Sequence, residues 1–108
     1  MKACLSLCAN KQLIMSNLID LINHESASIV DVRTPEEFIS GNVVNSINIP
    51  LNLVPDNVDK FKELSKPIIV CCLSGGRSGQ AAAFLSASGV EEVYNGGGWM
   101  EVKGALIR

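Results

Sequence analysis

The chain is poor in the groups that most often announce a metal centre or a basic binding face. Its only histidine is His24, and no histidine or cysteine pair stands at metal-ligand spacing, so neither a metal nor a cofactor is called for. No apolar run approaches the length needed to cross a bilayer. Positive charge is not in excess: nine Lys and Arg stand against eleven Asp and Glu, a formal net charge of −2. That balance argues against nucleic acid as the main partner, because phosphate backbones demand a basic face. Internal repeats, linkers and low-complexity tracts are also missing.

What is present is ordinary for a soluble globular protein: 108 residues, 47% hydrophobic and 19% charged, enough for one domain with a single core. The four cysteines do not suggest a disulfide framework. Cys71 and Cys72 are adjacent, while Cys4 and Cys8 crowd the amino terminus. The thiols are therefore read as reduced and the protein as cytoplasmic. Met1-Lys2 followed by Ala3 to Ala9 has the outline of a short signal segment, but Ser6 interrupts it and no small-residue cleavage pattern follows. Residues 1–15 are read as a loosely ordered leader ahead of a single domain, 16–108.

Strand and helix signals alternate along that domain. Ser16 caps a helix running to about His24, which sits on the surface, and Ser28 to Val32 is a short buried strand. Thr34-Pro35-Glu36-Glu37 has the form of a capping box with proline at the first helical position, and Gly41 is expected to end that helix in a left-handed conformation. Ser46 to Ile49 is a second strand and Pro55 to Leu64 a helix. Pro67 to Cys72 is the third and most apolar strand. Ser78 to Ser88 is an amphipathic helix with Ala81, Phe84 and Leu85 on its apolar side, stopped by Gly89. Glu92 to Tyr94 is a fourth strand, and Asn95-Gly96-Gly97-Gly98 a turn. This alternation predicts an α/β domain with a mainly parallel central sheet covered by helices on both faces. Ligands bind beyond the carboxyl ends of such strands, where Asp31 and Cys72 both fall.

The stretch Cys72-Leu73-Ser74-Gly75-Gly76-Arg77-Ser78 carries the chemistry. A cysteine between a buried strand and the start of a helix lies among backbone N–H groups and the positive end of the helix dipole, which favour thiolate. Gly75 and Gly76 let the backbone curl with its amides turned inward. Arg77 supplies a positive fork suited to an oxyanion, Ser74 and Ser78 offer hydroxyls, and Leu73 offers nothing polar. Cys71, one residue away, points to the opposite face and packs in the core. Asp31 and Arg33 are candidates for an ion pair beside the pocket. They are read as fastening a strand end, with a second contact to a donor as the alternative. Trp99 is read as covering the core edge.

The chain resembles a single-domain rhodanese of the small phage-shock type. The likeness rests on DVRTPEEF (Asp31 to Phe38), GNVVNSINIP (Gly41 to Pro50), IIVCCLSGGRSGQAAAFL (Ile68 to Leu85) and VYNGGGW (Val93 to Trp99), in that order. It implies a rhodanese fold and transfer of a sulfane sulfur from a donor such as thiosulfate to cyanide or a thiol, through a Cys72 persulfide. A thioredoxin-like protein is among the acceptors it suggests. A sulfur carrier or redox adaptor loaded by protein partners is the alternative. A cysteine phosphatase or arsenate reductase ranks lower, because four residues separate Cys72 from Arg77 where the phosphatase loop has one more. Two departures stand out. Asn42, Val44 and Asn45 replace the histidine and proline-glycine of the family's second motif, which should alter a turn and not the chemistry. Leu73 stands where thiosulfate-specific relatives place a cationic or polar side chain.

Overall fold

The computed structural model describes residues 18–107. The expected cap at Ser16, the leader, Cys4 and Cys8 lie outside them. Four strands, β1 (Ser28–Asp31), β2 (Ile47–Asn48), β3 (Ile68–Cys72) and β4 (Val93–Gly98), form one sheet in the order β2-β1-β3-β4. Every pairing is parallel. The helices are α1 (Pro35–Ser40), α2 (Val58–Glu63), α3 (Gly76–Ala87) and α4 (Trp99–Ala105), with 3-10 turns at Leu51–Leu53 and Pro55–Asn57. Residues 18–22 add a helical stretch ahead of β1.

β3 is the axis of the molecule because its five residues are all buried. Its pleat sorts them by parity. Ile68, Val70 and Cys72 join Val30, Phe61, Ala81 and Leu85 in one core, while Ile69 and Cys71 join Ile22, Ile29, Val43 and Val102 in the other. Each such fully buried aliphatic side chain contributes about 1.5–3 kcal/mol, so both faces of the strand are fixed against slippage. The two adjacent cysteines are thereby sent to opposite sides of the sheet.

The capping box on α1 forms as its sequence suggests: the Glu37 amide donates to Thr34 Oγ1 at 3.3 Å, and the Thr34 amide donates to Glu37 Oε1 at 3.0 Å. Gly41 differs from expectation. Its backbone is extended (φ 163°), and what the position requires is room, since a Cβ there would lie 3.0 Å from the Trp99 ring. The substituted second motif does make a turn, with Asn45 at φ 66°, a conformation asparagine tolerates better than most residues. Gly89 ends α3 with φ +93° as expected, but Phe84 is on the exposed side of that helix.

The largest difference lies in the glycine run. Asn95 to Gly98 continue β4 and do not turn away from it. Val70 pairs with Asn95 and Cys71 with Gly97, so Gly96 is an extra residue bulged out of register. The strand is glycine-rich because it passes close to its neighbours. A Cβ on Gly98 would stand 2.7 Å from the Leu73 carbonyl oxygen, and one on Gly96 would stand 2.7 Å from Ile69 Cγ2. Period-2 patterning cannot see a strand whose side chains have been removed to let backbone approach backbone.

Candidate active site

Cys72 is the last residue of β3, and α3 begins at Gly76, two residues earlier than the sequence indicates. Gly76 and Arg77 therefore belong to the first turn of the helix, and the loop proper shrinks to Leu73, Ser74 and Gly75. Gly75 sits at the N-cap of α3 with φ +106°, in the left-handed region that other residues rarely adopt. That backbone turn aims its amide back at the cysteine, 3.0 Å from Cys72 Sγ. On the other side Ser78 Oγ, fully buried in the first turn of α3, lies 3.4 Å from the sulfur.

Cys72 itself is fully buried. Burial alone pushes its thiol up, but the Ser78 hydroxyl and the amides of Ser78, Gly75 and Ser74 outweigh that penalty and bring it from 9.0 down to about 7. Near neutrality about half of the molecules then carry a thiolate, the form that attacks sulfur or carbon. Cys71 shows the opposite outcome one residue away. Desolvation, with the nearby Asp31 carboxylate, pushes it up to about 12, so it stays a protonated core residue. Both thiols are free.

The remaining loop residues divide in two. Leu73 and Ser74 face solvent, Leu73 at 60% exposure, so an apolar side chain stands at the mouth of the site. Arg77 has a partner that nothing in its sequence neighbourhood announces. From the first turn of α3 its guanidinium reaches the start of α1, where Nη1 meets Glu37 Oε1 at 2.8 Å and Nη2 meets Oε2 at 3.1 Å. Glu37 thus closes the α1 cap and binds Arg77 at once. The Arg77 hydrogen bonds, followed by the Thr34 amide, hold its carboxyl down at about 2.

Asp31 and Arg33 form a buried pair at the end of β1. Arg33 Nε and Nη2 donate to Asp31 Oδ2 at 2.9 and 2.7 Å, and Nη2 also donates to the Gly41 carbonyl at 2.6 Å. The guanidinium lies 4.7 Å from the Trp99 ring centroid. Its Nε and Nη2 donors and its π face engage the framework. Trp99 is half-buried against the second core, which agrees with its reading as a cover for the core edge.

One residue of the site escaped the sequence reading. Asn95, on β4, accepts from Ser78 Oγ at 2.7 Å and from the Gly97 amide at 3.0 Å, and donates to the Gly75 carbonyl at 3.1 Å. It joins the loop, the helix start and the bulged strand. The available signal was an asparagine ahead of three glycines, which reads as a turn in any sequence. Among the described residues no cluster of His, Cys, Asp and Glu is arranged to hold a metal ion, and no helix is long and apolar enough to cross a membrane.

A parallel α/β sheet with a thiolate-stabilising loop between β3 and α3 defines a class, and comparison with known proteins agrees on which. The sequence model of the rhodanese-like domain matches residues 15–105, and the chain belongs to that family. Among its relatives are the thiosulfate sulfurtransferase GlpE of Pseudomonas syringae pv. syringae (strain B728a), 32% identical over 81 residues, covering 75% of this chain and 76% of that protein. The uncharacterized protein YqhL of Bacillus subtilis (strain 168) is 33% identical over 85 residues, 79% of this chain and 67% of that protein. Among solved structures, "rhodanese with anions from E. coli" is 35% identical with a TM-score of 0.63, covering 69% of this chain and 89% of that one. A rhodanese-like domain protein from Staphylococcus aureus is 32% identical with a TM-score of 0.65, covering 82% and 83%.

Proposed function

We propose that the protein is a sulfurtransferase that carries a sulfane sulfur on Cys72. In the first half-reaction the Cys72 thiolate attacks the outer sulfur of thiosulfate. A Cys–S bond forms, the S–S bond of thiosulfate breaks, and sulfite leaves with the electron pair. In the second, cyanide or an acceptor thiolate, which a thioredoxin-like protein can supply, attacks the terminal sulfur of the persulfide, and Cys72 departs as thiolate. No proton is transferred in either bond-making step, so the lack of a histidine beside the sulfur is no obstacle. The loop amides and the start of α3 stabilise negative charge on Sγ at the beginning and end of the cycle.

The observation that carries this reading is the held sulfur, with an amide at 3.0 Å and a thiol lowered to about 7. The names of its relatives as sulfurtransferases support the same chemistry. A second reading, a carrier loaded by protein partners, is favoured by one feature: the exposed Leu73 beside the nucleophile, with Arg77 held by Glu37, offers a dianion little positive charge.

Steady-state thiocyanate formation from thiosulfate and cyanide tests the proposal. Parallel double-reciprocal lines, activity lost in Cys72→Ala and kept in Cys71→Ser, are the expected result. Hydrolysis of a phosphate ester without thiocyanate formation would overturn it. Slow turnover of thiosulfate beside rapid loading from a protein persulfide would favour the carrier.

A further inference from the structure

Ser78 has one hydroxyl proton and two acceptors, Asn95 Oδ1 at 2.7 Å and Cys72 Sγ at 3.4 Å. The Asn95 amide cannot be turned round. Its oxygen faces the Gly97 N–H and its nitrogen faces the Gly75 carbonyl, and a flip would set donor against donor and acceptor against acceptor. Asn95 therefore presents only an acceptor to Ser78, and the short contact requires the hydroxyl proton to point at Asn95. With the proton there, Ser78 offers Cys72 a lone pair, which suits a thiol: S–H donates to Oγ, and O–H donates to Oδ1. A thiolate needs the reverse arrangement, with the hydroxyl rotated toward sulfur. Asn95 Oδ1 can release it because the Gly97 amide still satisfies the oxygen.

We propose that Asn95 is a positioning residue that makes the Ser78 hydroxyl a two-position donor, turned to Asn95 while the cysteine sulfur is neutral and to Sγ when it is charged. Rotation about the Cβ–Oγ bond is the only motion; the thiol proton leaves to solvent and no other bond is made or broken. In the sulfur-transfer cycle, on whose reading this last consequence rests, Sγ is neutral in the persulfide, where the charge is on the terminal sulfur. It becomes charged again as the acceptor removes that sulfur. The hydroxyl would turn to Sγ as the leaving thiolate develops, a hydrogen bond strengthened on the way to the transition state. Asn95 acts against the resting thiolate by competing for the same proton.

The charged and titratable groups on the elements around the site are Arg77 of α3 with Glu37 of α1, Asp31 and Arg33 at the end of β1, Cys71 beside Cys72 on β3, and Glu101 of α4, which accepts from the Gly98 amide at 2.9 Å. None is altered by substitutions at positions 78 and 95.

The test is the pH dependence of Cys72 alkylation by iodoacetamide in the full chain, resolved by peptide so that the other cysteines do not interfere. It requires no sulfur donor, so its outcome is independent of whether the protein transfers sulfur. Asn95→Ala, and Asn95→Ser as a polar alternative for the Gly97 amide, are expected to lower the midpoint by about half to one pH unit. Ser78→Ala is expected to raise it by a similar amount, and Asn95→Ala in the Ser78→Ala background should add nothing. A midpoint unchanged or raised in an Asn95 variant that melts cooperatively would overturn the proposal. So would an Asn95→Ala shift that persists without the hydroxyl. If both Asn95 variants fail to fold, an unchanged or lowered midpoint in Ser78→Ala overturns it.

Discussion

Replacing Gly75 by alanine separates the two things this residue does. Its φ of +106° costs an L side chain roughly 1–3 kcal/mol, and the new Cβ would lie 3.3 Å from Gly97 Cα on the neighbouring strand. For a domain of this size that strain lowers the melting temperature by roughly 5–15 °C. Relief of the strain must rotate or shift the backbone that aims the Gly75 amide at Cys72 Sγ, 3.0 Å away. A hydrogen bond to a charged group contributes about 1.5–3 kcal/mol, so its loss moves the thiol up by about one to two pH units from its value of about 7. The first unit cuts the thiolate fraction at pH 7 about fivefold, but the more basic thiolate is about threefold more nucleophilic. The rate at neutral pH thus falls only about twofold, and the midpoint of the pH profile is the informative quantity. Thermal melting by circular dichroism, together with alkylation of Cys72 from pH 5 to 10, reads both effects. A variant that melts within a degree or two of wild type and keeps its midpoint would refute the reasoning.

Removing Arg33 tests its role as a framework residue. Arg33→Met leaves Asp31 buried and unpaired, which costs about 3–5 kcal/mol in chemical denaturation; a well-folded variant of unchanged stability that had lost only sulfur transfer would place Arg33 on the substrate instead. Cys71, held up at about 12, should resist alkylation at pH 8 in the native protein and react once urea unfolds it; labelling before unfolding would contradict its burial. Glu37 has a folded-state value of about 2, depressed below its ordinary 4.5, so the stability it lends is complete above about 4.5 and is lost as the pH falls through 2. Glu37→Gln should flatten the acid-side loss of stability in that window, and parallel acid-unfolding curves for variant and wild type would count against the Glu37–Arg77 pair.

The parts of the structure legible in the sequence are those written in side chains. The apolar run Ile68 to Cys72, the capping box at Thr34 and the glycine stop at Gly89 each specify an element through a local contact or a burial pattern. Cys72 could be singled out because strand, glycines and helix follow one another within a few residues. The relationships that the sequence concealed are between distant segments. Nothing local to Arg77 says that Glu37, forty residues earlier, will take its guanidinium. Nothing around Asn95 says that its amide will meet Ser78 and Gly75. Two glycines of β4 belong to the same case: Gly96 and Gly98 leave room for atoms of Ile69, Val102 and Leu73 across space, while Gly97 takes a left-handed backbone of φ +87° within the strand. Gly41 is the same case, emptied for the Trp99 ring.

Sulfur transfer by this protein depends on Cys72, and not its neighbour, carrying the sulfur. Intact mass after brief incubation with thiosulfate, on wild type, Cys72→Ser and Cys71→Ser, reads this out. A Cys72 persulfide requires a gain of one sulfur atom in wild type and in Cys71→Ser, none in Cys72→Ser, and loss of the gained atom on adding cyanide. Sulfur retained by Cys72→Ser, or no uptake by any of the three from thiosulfate or from a persulfide donor, would contradict it.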